Sequence, residues 1–145
     1  MSQPDKFLVL LLRLGGLMTL SAVVPMCFPF AWMDAIHRAL SLGELPNVPI
    51  VAYLTRSLSA MYAMHGALLL YLSFDVPRYL LAIRFLGLLA VLFGLSLLAI
   101  DLAAGLPWPW TAVEGPFVAG IGTAIWYLAG RRLAAAQFDA APPQR

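Results

Sequence analysis

The chain alternates between long apolar runs and short segments that are polar or rich in proline. The four apolar runs span residues 7–28, 49–74, 79–101 and 111–130. Each run is close to or above the about 20 residues that a helix needs to cross a bilayer. Pro25 and Pro29 end the first run, and prolines also lie in the two turns between the later runs. The pattern therefore predicts four transmembrane helices.

The segment between the first two runs is amphipathic rather than uniformly apolar. Trp32, Ile36 and Leu40 recur at helical spacing, whereas Asp34 and most other polar residues occupy the remaining positions. This pattern, at residues 31–43, is typical of a short helix that lies in the membrane interface. The expected fold is an all-α membrane protein, an antiparallel four-transmembrane-helix bundle with an amphipathic interfacial helix in its first outer loop.

The composition agrees with a membrane protein. Of the 145 residues, 62% are apolar and 11% are charged, whereas soluble domains have about 45–50% and about 25%. So little charge cannot cover a water-facing surface, which excludes a soluble domain and a nucleic-acid-binding module. The single cysteine, Cys27, excludes a domain held together by internal disulfides.

No internal repeat or long linker divides the chain. We therefore expect one four-helix transmembrane domain at residues 1–136. The last segment, residues 137–145, is polar and rich in proline, and we expect it to form a disordered cytoplasmic tail.

Positive charges are distributed unevenly between the two predicted sides of the membrane. The side that holds both termini carries Lys6, Arg78, Arg131, Arg132 and Arg145. The opposite loops hold only Arg38, together with most of the carboxylates. By the positive-inside rule we expect both termini to be cytoplasmic. Arg13 and Arg84 lie near the same inner boundary, where their long side chains reach the headgroups.

Each predicted span carries small residues at helical spacing. The four stripes are Gly15, Thr19 and Ala22; Ser59, Ala63 and Gly66; Gly87, Ala90 and Gly94; and Gly115, Ala119 and Gly122. Helices in lipid associate where small residues allow their backbones to approach closely. The stripes therefore predict a compact bundle, with chance spacing in a chain rich in glycine and alanine as the alternative.

Three ionisable residues fall on these inward faces near the outer ends of their spans: Arg56, Asp101 and Glu114. An arginine beside one or two carboxylates would neutralise charge that is costly inside a membrane. Two interpretations stay open for this cluster. It is either a structural ion pair that fixes helix register or a polar outer pocket for an anionic or polar ligand.

His65 lies near the predicted midplane, on the opposite side of its helix from Arg56. A neutral histidine there hydrogen-bonds a neighbouring helix, or contacts a haem or a quinone. The only other histidine, His37, lies in the outer loop, which disfavours bis-histidine haem ligation within one chain. No cofactor and no metal site is predicted, and Met61 and Met64 are interpreted as packing residues.

The motifs that carry enzyme chemistry are missing from the sequence. There is no glycine-rich phosphate loop, no CxxC, no HExxH and no GxSxG. The sequence accordingly gives no reason to expect an enzyme, and no catalytic residue is assigned.

Two short segments carry a resemblance to a known group. The segment Leu12-Arg13-Leu14-Gly15-Gly16, the four spans in about 140 residues, and the segment Arg56-Ser57-Leu58-Ser59-Ala60 resemble the small bacterial four-helix membrane proteins of the DoxX-like group. That group includes accessory subunits of redox enzymes, so the resemblance implies a role that depends on a partner. It carries over no catalytic residue.

The sequence thus favours a small polytopic inner-membrane protein without its own catalysis. We expect it to be an accessory or peripheral subunit that packs against other integral membrane subunits of a larger, redox or energy-converting complex. The alternative is a ligand-binding or transport protein with a polar outer pocket around Arg56, Asp101 and Glu114.

Overall fold

The computed structural model describes residues 3–139, and this part of the chain is all-helical, without a strand. The helices are α1 (Gln3–Leu20), α2 (Val23–Met26), α3 (Phe30–Ala39), α4 (Pro49–Leu72), α5 (Val76–Ala104) and α6 (Trp108–Asp139). The prediction of an all-α protein is confirmed.

Three segments of the described chain are long and apolar enough to cross a membrane: Lys6–Met26, Val76–Ala104 and Trp108–Phe138. They coincide with the first, third and fourth predicted spans and indicate a membrane protein. The second predicted span, residues 49–74, forms α4, which is not among the three. Its 24 residues are long enough, but Arg56, His65 and three tyrosines lower its hydropathy.

The first apolar run forms two helices, α1 and α2, with a turn at residues 21–22 between them. The hydroxyl of Thr19 donates to the carbonyl of Gly15 at 2.8 Å, and that of Ser21 donates to the carbonyl of Met18 at 2.7 Å. Hydroxyl groups that bond back to the preceding turn bend helices. Pro25, which has no N–H group, adds to this break.

Two helix ends differ from the sequence expectation. α3 ends at Ala39 rather than near residue 43, because Ser41 and Gly43 adopt left-handed φ angles of 62° and 86°. α6 continues to Asp139, so the first residues of the expected tail 137–145 are helical, and residues 140–145 lie outside the described part. The alanines at 134–136 are strong helix formers, and the next proline comes only at residue 142.

The chain divides into two compact units, residues 1–11 with 72–145 and residues 12–71. In the first unit, α5 and α6 are antiparallel neighbours joined by a turn at Gly105, whose φ of 67° is left-handed. The N–H of Leu106 donates to the carbonyl of Asp101 at 3.1 Å, which completes the glycine-based cap of α5.

Glycines allow the backbones of α5 and α6 to approach closely. A Cβ atom on Gly87 would come 2.6 Å from the backbone nitrogen of Trp126, and one on Gly122 would come 2.7 Å from the backbone nitrogen of Val91. Gly94 and Gly115 are equally close to the opposite helix. The two small-residue stripes predicted for these helices therefore face one another, and chance spacing is wrong for them.

In the second unit, α1 and α4 meet at Gly16 and Gly66. A Cβ atom on Gly66 would collide with the backbone nitrogen of Leu20 and come 2.6 Å from the carbonyl oxygen of Gly16. Gly15, the predicted contact residue, would place its Cβ 3.8 Å from Leu69, an ordinary contact. The predicted α4 stripe is correct at Gly66, whereas the α1 stripe is displaced by one residue.

The segment after α3 folds back onto that helix. Asp34 accepts the backbone N–H of Leu45 at 2.8 Å and the Nε of Arg38 at 2.9 Å. Arg38 also bonds Glu44 at 3.0 Å, and a ring nitrogen of His37 lies 3.0 Å from the carbonyl oxygen of Gly43. These contacts form a closed polar clamp over residues 34–45.

Candidate functional site

The predicted ionic cluster draws its members from both units: Arg56 from residues 12–71, and Asp101 and Glu114 from the other. Arg56 is exposed, and its Nη2 donates to the backbone carbonyl of Phe28 at 3.3 Å. Phe28 follows α2, where carbonyl groups have no partner within the helix and accept other donors. The pairing of Arg56 with a carboxylate stays a prediction.

Asp101 and Glu114 lie together near the linked ends of α5 and α6. Asp101 is only 3% exposed, and its Oδ2 has no hydrogen-bond partner among the described residues. Glu114 is half-buried, interacts with the charge of Asp101 and accepts a hydrogen bond from the indole of Trp110, one turn earlier. The structure thus brings together two of the three predicted residues and leaves one buried carboxylate oxygen unsatisfied.

His65 lies on an exposed side of α4. It precedes Gly66, which faces α1, and successive helical residues point about 100° apart. His65 therefore projects away from the α1 contact. Within the described residues, no three or more His, Cys, Asp or Glu side chains are grouped as metal ligands would be. A haem or quinone contact through His65 remains untested.

An exposed stripe along α4 is a feature that the sequence reasoning missed. It consists of Ile50, Leu54, Ser57, Met61, Met64, Leu68 and Tyr71, which alternate at spacings of four and three residues. All except the half-buried Ser57 are exposed, up to 73% for Met64. The regular spacing is visible in the sequence, but only the packing of α1 against the other side of α4 shows that this stripe is exposed.

A second missed feature is a set of arginines backed by aromatic rings. The Cζ of Arg84 lies 5.5 Å from the ring centroid of Trp126, and that of Arg131 lies 5.9 Å from the ring centroid of Tyr127. The second pair has the helical spacing of four residues. The first joins α5 to α6, so only the register of the two helices reveals it.

No protein-family model, curated protein or solved structure matches this chain. The resemblance of residues 12–16 and 56–60 to the DoxX-like group therefore stays a prediction. What the chain does is inferred from its own residues.

Proposed function

We propose that the chain is a small polytopic membrane protein without its own catalysis, and that it serves as an accessory subunit of a larger membrane complex. The proposed arrangement has four antiparallel spans, α3 in the outer interface, and both termini on the cytoplasmic side of a bacterial inner membrane. The three apolar segments support three of these spans, and the uneven distribution of lysine and arginine supports the orientation.

The exposed face of α4 is the observation that carries the proposal. In a membrane this face would present the exposed His65 to lipid, and polar residues inside a membrane are costly. Lipid tails offer no hydrogen-bond partner to an imidazole, whereas a helix of another protein does. We therefore expect a partner helix to cover α4.

The exposed stripe suits such a partner. Its spacing of four and three residues matches the seam along which two helices pack. Met61 and Met64 are flexible and polarisable, so they adapt to a partner surface. The expected occupant is a transmembrane helix of another subunit that carries a hydroxyl, amide or carboxylate group at the depth of His65.

Site-specific crosslinking tests the proposal. A photoreactive residue at Met64 should crosslink to one membrane protein, which native mass spectrometry in mild detergent should then find in fixed stoichiometry with this chain. The matched control is a photoreactive residue at Leu81 of α5, whose side chain is 72% exposed, and it should give no such product. His65→Leu should weaken the complex while α1 and α4 remain folded.

A solitary monomer or homodimer in mild detergent, with equal crosslinking from Met64 and Leu81, would contradict the subunit role.

A ligand-binding or transport protein is the second candidate, and the unsatisfied Oδ2 of Asp101 favours it. A polar ligand with an N–H or O–H group would supply the missing donor. Native mass spectrometry of the purified protein should then show a small bound mass that Asp101→Leu removes. Identical spectra for the two proteins would argue against this candidate.

A further inference from the structure

Arg84 of α5 lies across the surface of α6 at Gly130. A Cβ atom on Gly130 would be 3.4 Å from the Nε of Arg84 and 3.5 Å from its Cζ, so the guanidinium lies in van der Waals range of this turn of α6. Trp126, one turn earlier on α6, lies under the same group at 5.5 Å. The guanidinium therefore lies against the ring of Trp126 and the backbone of α6 at Gly130.

Arg131 provides a second guanidinium, one residue further along α6 than Gly130. It follows Gly130 directly, which puts the two Cα atoms about 3.8 Å apart, and its own side chain lies over Tyr127. Among the described side chains, no carboxylate forms an ion pair with Arg84 or Arg131. Their N–H donors can therefore bind an anionic ligand.

The length of the helices sets this pair of arginines at a membrane boundary. α5 has 29 residues and α6 has 32, and both exceed the about 20 residues that cross the hydrocarbon core. About 20 residues counted from the linked ends of the two helices lead to Arg84 on α5 and to the turn before Gly130 on α6. This boundary is where lipid phosphates lie.

The surface on the hydrocarbon side of Arg84 is apolar. Phe85 and Leu88 of α5 and Tyr127 of α6 are exposed there. A ligand that covers this surface and also contacts the guanidinium groups has an acyl chain and an anionic head. We propose that Arg84 and Arg131 form a binding site for the phosphate of an anionic phospholipid.

The proposed site needs α5 and α6 to span the membrane, but it does not depend on the role as an accessory subunit.

Lipid titration with native mass spectrometry tests the site. Detergent-solubilised protein is titrated with phosphatidylglycerol, with zwitterionic phosphatidylcholine and with inorganic phosphate. We expect phosphatidylglycerol to bind most tightly, and each of Arg84→Gln and Arg131→Gln to weaken it about fivefold, from the attraction of one basic residue to an anionic membrane. Arg38→Gln removes the same charge from a residue that is already paired, and it should leave the lipid affinity unchanged.

Tryptophan fluorescence tests the site with both arginines in place, so this test does not depend on whether the arginine variants fold. Trp126 becomes the only tryptophan when Trp32, Trp108 and Trp110 are replaced by phenylalanine. Its fluorescence should then be quenched more strongly by brominated phosphatidylglycerol than by brominated phosphatidylcholine at equal mole fraction, and 1 M salt should reduce the difference.

Three results would overturn the proposal: equal quenching by the two brominated lipids, unchanged lipid affinity in a folded Arg84→Gln, Arg131→Gln double variant, or competition by inorganic phosphate at millimolar concentration. The last would indicate a site for a free anion. Loss of the protein partner without loss of phosphatidylglycerol binding would reject only the subunit role.

Discussion

Gly94 of α5 and Gly115 of α6 lie so close that a Cβ atom on either one would come 2.6 Å from the carbonyl oxygen of the other. Such a distance is far below van der Waals contact, and the atom in the way belongs to the backbone, so a small side-chain movement cannot relieve it. The two helices therefore depend on the absence of a side chain at both positions. In lipid this close approach replaces the hydrophobic force that holds helices together in water.

Gly94→Ala should destabilise the protein although alanine is the better helix former. The added methyl group would lie 2.5 Å from the backbone nitrogen of Ala119, and overpacking of this kind costs about 1–3 kcal/mol. The measurement is thermal unfolding in detergent, followed by circular dichroism.

Gly120→Ala is the matched control on α6, because no described atom lies within 4 Å of a Cβ at Gly120. This variant should be as stable as the parent or more so, by up to about 1 kcal/mol from helix propensity. Equal melting temperatures for the Gly94 and Gly120 variants would contradict the glycine contact.

The α1–α4 contact predicts a graded series. Gly66→Ala should be the most harmful, because its methyl group meets the backbone of Leu20 and Gly16. Gly16→Ala should be milder, since its nearest neighbour is the movable side chain of Leu70 at 2.9 Å. Gly15→Ala should have little effect. Thermal unfolding of the three variants gives the order, and a greater loss for Gly15 than for Gly66 would contradict the observed register.

The clamp over residues 34–45 should open in acid. The backbone N–H of Leu45 and the guanidinium of Arg38 lower the pKa of Asp34 below its ordinary value. A carboxylate with a depressed pKa stabilises the folded form above its unfolded-state pKa, and this contribution disappears as the pH falls through the folded-state pKa. Hydrogen exchange of the Leu45 amide, corrected for the intrinsic rate, should therefore lose protection below about pH 4.

Two variants of Asp34 separate the hydrogen bond from the ion pair. Asp34→Ala should expose the Leu45 amide at every pH. Asp34→Asn keeps an acceptor oxygen but no charge, so it should retain partial protection that no longer depends on pH between 3 and about 6. Acid-sensitive protection in Asp34→Asn would assign the titration to another group.

The α5–α6 contact could be predicted from the sequence because its determinants are local. Gly87 and Gly94 are seven residues apart, as are Gly115 and Gly122, and a short turn makes the two helices neighbours. Spacing and connectivity together are enough to place these four glycines in one interface.

The remaining features needed information that one sequence does not hold. A shift of one residue rotates a helix face by about 100°, and a run such as Gly15-Gly16 does not indicate which glycine makes the contact. The exposed face of α4 depends on which side of the helix its neighbours leave open. The contacts of Arg84 with Trp126 and Gly130 depend on the register between α5 and α6.

Asp101→Leu should raise the stability of the protein. The Oδ2 of Asp101 is buried and has no hydrogen-bond partner among the described residues, and the charge of Glu114 acts on it from α6. An unsatisfied buried polar atom costs about 1–3 kcal/mol, and its replacement by an apolar group of similar size relieves that cost. Asp101→Asn should give a smaller gain, because the amide keeps polar atoms in the same place.

Glu114→Leu serves as the control and should be neutral or destabilising, since it removes the acceptor for Trp110 from a half-exposed position. Thermal unfolding in detergent compares the three variants. A lower melting temperature for Asp101→Leu would show that this carboxylate makes a stabilising contact, and copurification of a ligand or partner that the variant loses would identify it.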